Sequence, residues 1–104
     1  MAQVEVSPGV CGLKTMIIAQ ADDLYEVTIE IVSDCERVQL LAEELASVSA
    51  LSELRQALPE TAVYQAAGRA GLHVSCPVPS AVLKAVEVAA GLALPADVQI
   101  VIRR

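Results

Sequence analysis

The sequence predicts an α+β domain, a small antiparallel sheet with helices packed on one face. Three observations carry this reading. Residues 24–32 (LYEVTIEIV) alternate apolar and polar, the period of a half-buried strand. From residue 38 the apolar positions fall three and four apart, the period of a helix. Strand-like segments gather at the start of the chain and recur at its end, with helical segments between them, an order of ββ(β)–αααα–β.

Taken in order, residues 4–6 form a short strand, and Ser7-Pro8-Gly9 is a turn. Residues 13–20 (LKTMIIAQ) form a second strand, and Asp22-Asp23 turns it into the third. In that third strand Tyr25, Val27, Ile29 and Ile31 share one face; Glu26, Thr28 and Glu30 share the other. Ser33-Asp34-Cys35-Glu36 is a capping-box pattern, with Ser33 as N-cap and Glu36 at N3. The helix it opens has a stripe of Val38, Leu41, Leu45 and Val48. A short helix over 50–57 stops before Pro59, and a third over 60–70 closes on Gly71. The last helix, 79–91, is apolar nearly all round apart from Lys84 and Glu87, which pair at its surface. Such a helix lies in the core or in an oligomer interface. Residues 97–103 form a final strand, with Val98, Ile100 and Ile102 on one face. No linker or repeat divides the chain, so residues 1–104 read as one domain.

Composition narrows the function. Of 104 residues, 55% are apolar and 19% charged, with two Tyr and no Phe or Trp, so the core is aliphatic and Tyr25 and Tyr64 are core or rim residues. A net charge of −6 excludes the basic footprint of a nucleic-acid binder and attraction to an anionic membrane. No apolar run is long enough to span a bilayer, and the start lacks the pattern of a secretory signal. Three widely spaced cysteines do not make a disulfide framework. They read as free thiols or metal ligands in a reducing, cytoplasmic setting. The excess of apolar residues also predicts a homo-oligomer, through the last helix or the edge of the C-terminal strand.

Cys11, Cys35 and Cys76 are the residues around which chemistry is expected, because each sits at a junction between elements. Cys11 precedes Gly12 before the second strand. Cys35 lies at a helix start, and Cys76 precedes Pro77 and Pro79 at the start of the last helix. A helix N-terminus favours the thiolate, which is both nucleophile and metal ligand. Cys76 has no adjacent acid, so it is expected to be the most reactive thiol, ahead of Cys35 with Asp34 and Glu36 beside it. His73 is the sole histidine, three residues before Cys76, and completes a Cys₃His donor set suited to zinc or an iron–sulfur cluster. No local CxxC pair marks such a site. Two alternatives stand beside it. One is a thiol-dependent enzyme with Cys76 or Cys35 as nucleophile and His73 as base. The other is an interaction module whose cysteines are buried structural residues.

The order of Cys11-Gly12 at a strand start, a hairpin, Cys35 at a helix start, then His73 and Cys76 before a last helix resembles the U-type iron–sulfur cluster scaffolds, the IscU/NifU N-terminal family. The resemblance covers roughly residues 8–90 and includes the gaps between the cysteines. It implies an IscU-like two-layer fold and ligation of a cluster or zinc by Cys11, Cys35 and Cys76, with His73 as the fourth ligand. It also implies a protein partner in metal or cluster transfer. Leu13 stands where that family has an aspartate after Cys-Gly, and Val74 and Ser75 separate His73 from Cys76, where the family has them adjacent. The family's chaperone-recognition segment before the last cysteine is missing. The stretch CPVPSAVLKAVEVAAGLALP also resembles a small family of unknown function from anaerobic bacteria and archaea.

Overall fold

The computed structural model describes all 104 residues. Four strands form one antiparallel sheet in the order β1-β2-β3-β4, with β1 Ala2–Val6, β2 Thr15–Ala21, β3 Glu26–Ser33 and β4 Ser47–Ser49. Four helices accompany it: α1 Glu36–Glu44, α2 Ala50–Arg55, α3 Ala62–Ala70 and α4 Val78–Ala89. A 3₁₀ turn, Leu58–Glu60, joins α2 to α3. The fold is α+β, as the sequence predicts.

The period-two pattern sets the register. Val4, Ile17 and Ile31 stand side by side across three strands, as do Ala2, Ala19 and Ile29. These rows face the helices: α4 lies across β1 and β2, and α1 packs on β3 and against α3. Ile17, Val27, Val38, Leu41, Val63, Val78, Val82 and Val86 are the largest wholly buried side chains, so the core is aliphatic. The opposite face of the sheet is uncovered and carries Gln3, Glu5, Met16, Ile18, Thr28, Glu30 and Val32. No helix is long and apolar enough to cross a membrane.

Several expectations are corrected. Tyr25 is not on the core face of β3. Its φ is 64°, and it sits in a turn held by Asp22, whose Oδ1 accepts from the N–H groups of Leu24 at 2.8 Å and Glu26 at 3.0 Å. The first helix does not reach Val48. It ends at Glu44, and Val48 belongs to β4, opposite Val27. Helical spacing and a strand both bury Val48, so periodicity alone could not tell them apart. Lys84 and Glu87 do not pair; the single ion pair is Arg69 with Glu44, at 3.3 Å. The strand expected over 97–103 does not form within the chain. Those residues carry no regular structure and are exposed, with Ile100 at 74% and Ile102 at 88%.

α3 ends as expected. Gly71 adopts φ 73°, a left-handed conformation that lets its N–H reach the last carbonyls of the helix.

Candidate metal-binding site

The three cysteines come from three junctions at one end of the sheet. The β1–β2 loop, residues 7–14, carries Cys11, and its root is Thr15, the first residue of β2. Thr15 pairs with Ser33 at the end of β3, and their hydroxyls lie 2.7 Å apart. Thr15 is 3% exposed, so this bond is sheltered from water. The Asp34 N–H donates to the Lys14 carbonyl at 3.2 Å, and the Cys35 N–H donates to Ser33 Oγ at 3.1 Å. These bonds tie the base of the Cys11 loop to the start of α1. The sequence holds no marker for this latch except hydroxyl residues at the ends of two apolar strands.

The capping box takes a different form from the one expected. Cys35 itself is the N-cap of α1, with extended backbone angles and no side-chain cap bond. Ser33 lies two residues too early to cap the helix: its hydroxyl receives the Cys35 N–H, and its carbonyl receives Gln39 Nε2 at 2.9 Å. Glu36 is then the first residue of the helix, and Asp34 lies outside it.

Cys76 lies in the turn before α4, where its N–H donates to the His73 carbonyl at 2.9 Å. The backbone N–H of Val78, the first residue of α4, acts on its sulfur and favours the thiolate. Cys35 and Cys76 are half-buried against the core, while Cys11 is exposed. Burial pushes the Cys76 thiol above the ordinary cysteine value, the Val78 hydrogen bond opposes that, and the charges of Cys11 and Cys35 raise it further. This direction runs against the expectation that Cys76 is the most reactive thiol, because burial at the start of α4 disfavours its charged form.

Cys11 and Cys35 lie near enough to Cys76 to act on it electrostatically, a smaller effect than its burial. The grouping is looser than a coordination shell, since no three His, Cys, Asp or Glu side chains are placed to hold one ion as they stand. The two findings differ in reach. Coulomb effects extend over many ångströms, whereas a metal–thiolate bond is about 2.3 Å. His73 is exposed, and its Nδ1 is 3.0 Å from Ser75 Oγ. Its backbone, not its ring, contacts Cys76.

A family profile described as a family of unknown function (DUF6951) matches residues 2–102, nearly the whole chain, so the chain belongs to that family. No curated protein and no solved structure matches it.

Proposed function

We propose that this member of DUF6951 is a non-enzymatic protein that binds zinc or an iron–sulfur cluster through Cys11, Cys35 and Cys76. The observation that supports the reading is the placement of three free thiols at three separate junctions, with Cys11 and Cys35 near enough to Cys76 to act on it electrostatically. Three thiolates are a soft donor set, suited to zinc or to a cluster. Closing the set requires side chains to move, and Cys11 is the exposed one of the three. Cys11 lies on a turn whose Gly9 and Gly12 both take positive φ, closed by a 3.0 Å bond from the Gly12 N–H to the Gly9 carbonyl. Cys35 and Cys76 are packed against the core and form the fixed part of the site.

His73 is proposed as the fourth donor. The Ser75 hydroxyl engages Nδ1, which leaves Nε2 free for a metal. The parallel with U-type scaffolds rests on cysteine order and spacing. It extends the proposal to delivery of the metal or cluster to a protein partner.

The test is metal analysis of protein purified without oxygen, followed by Co²⁺ titration of the metal-free form. Near-stoichiometric zinc or iron, and a thiolate-to-cobalt charge-transfer band lost in Cys11→Ser, Cys35→Ser and Cys76→Ser, are expected. His73→Ala should weaken binding and shift the cobalt ligand-field bands without abolishing the thiolate band. Absence of any such band in reduced wild type would overturn the reading and leave the cysteines as core and surface residues.

A further inference from the structure

The segment after α4 has no place in its own chain. Gly91 turns the helix off in a left-handed conformation, and the Leu92 N–H makes the last backbone bond, to Glu87 at 2.8 Å. Residues 93–104 make no backbone hydrogen bond with any other part of the chain. Yet Val98, Ile100 and Ile102 alternate with Gln99, Val101 and Arg103, which is strand patterning. All five apolar side chains of residues 94–102 other than alanine are more than half exposed: Leu94, Val98, Ile100, Val101 and Ile102.

The chain also exposes more surface than a compact monomer of its mass. A compact monomer of 10.9 kDa exposes about 5,600 Å². This chain exposes 6957 Å². The excess, on the order of 1,400 Å², exceeds the roughly 800 Å² that each partner loses in a standard protein interface.

A receptor for a strand is also present. β1 is an outer strand of the sheet, paired only with β2, so alternate residues of Ala2–Val6 direct N–H and C=O groups outward. It contains no proline and no inward-facing charge, two of the devices that blunt an edge. The other edge, β4, has three residues and is followed at once by α2. Face matching is consistent. With Val98, Ile100 and Ile102 on the core side beside Ala2, Val4 and Val6, Arg103 falls on the uncovered side that carries Glu5 and Glu30. Charge agrees: Arg103 and Arg104 are two of only seven basic residues in a chain of net charge −6.

We propose that residues 97–103 of one copy add as a strand to the β1 edge of a second copy, in a reciprocal exchange that forms a homodimer. Main-chain bonds to β1 supply affinity, and the Val98, Ile100 and Ile102 row extends the core of the partner. The exchange is isologous, so it closes at two copies.

Sedimentation velocity and hydrogen exchange of the full chain test this. A species of about twice the monomer mass is expected, with amides of 97–103 and 2–6 protected together and both losing protection on dilution. The double variant Ile100→Asp/Ile102→Asp should raise the dissociation constant at least about 100-fold. These side chains are exposed in the single chain, so the variant monomer should keep its circular dichroism. Three outcomes would overturn the proposal. They are a monomer with an unprotected tail, a monomer whose tail is protected at every dilution, and a dimer indifferent to the double variant.

Discussion

Glu53 offers the sharpest test of the packing. It is a carboxylate with 4% exposure, the one charged side chain among the buried residues. Both oxygens are used: one accepts the Ala62 N–H at 2.7 Å, the other the Val63 N–H at 3.1 Å. Those two groups are the first donors of α3, which have no partner within the helix, and they carry the positive end of its dipole. Hydrogen bonds to a charged group contribute about 1.5–3 kcal/mol each. Glu53→Gln keeps one acceptor and turns an NH₂ toward the other donor, so a loss of roughly 2–3 kcal/mol is expected. Glu53→Ala orphans both donors and should cost about 3–5 kcal/mol. Thr61 limits the damage, because its hydroxyl still accepts the Tyr64 N–H at 3.1 Å. Urea unfolding measures the effect. With a slope of about 1–3 kcal/mol per molar, the glutamine variant should lower the midpoint by on the order of 1 M at unchanged slope. Glu60→Gln, at an exposed position on the neighbouring turn, should stay within about 0.5 kcal/mol. If Glu53→Gln were as mild as that control, the carboxylate would not be holding the start of α3, and the account of the α2–α3 corner would fail.

Two further outcomes follow from single positions. Gly71→Ala should destabilise by about 1 kcal/mol, since φ 73° is strained for any side chain although the space beside it is open to 3.5 Å, and thermal unfolding would register it. In metal-free protein, limited alkylation at neutral pH should label exposed Cys11 before Cys76. A raised thiol pKa leaves Cys76 protonated there, so its labelling should accelerate as pH rises well past neutrality; peptide mapping showing Cys76 labelled first would contradict this.

The sequence made much of this fold legible because its signals were local and periodic. Alternation over 24–32 located β3, and Gly71 closed α3 where it was expected. Four features lay beyond that reach. Val48 satisfies a helical stripe as well as a strand, and only pairing with Val27 decides for β4. Tyr25 continued the alternation but was diverted by the Asp22 turn. Residues 97–103 have strand chemistry without a strand partner in their own chain. Glu53 sat among ordinary surface residues of a short helix, and its burial depends on the N-terminus of a different helix meeting it there. At the cysteines, sequence picked out the junctions. The sign of the effect at Cys76 needed burial, which is a tertiary quantity.

That sign bears on how the cysteine end of the sheet would work. A half-buried thiol that resists ionisation is a poor nucleophile at neutral pH but a workable metal ligand, because the bound cation supplies the charge that the surroundings withhold. Burial is the main cause of the raised Cys76 value and the charges of Cys11 and Cys35 add to it; a cation bound among the three thiolates would offset both. Each ligand that starts as a thiol must release its proton, which makes affinity rise with pH. A structural role for the cysteines predicts no such dependence. In competition with a chromophoric chelator, zinc affinity should therefore climb through the neutral range for the wild type. The climb should be shallower in Cys76→Ser, which loses the thiol that holds its proton most tightly. An affinity independent of pH, or a Cys76→Ser slope equal to the wild type's, would remove Cys76 from the ligand set even if zinc still bound.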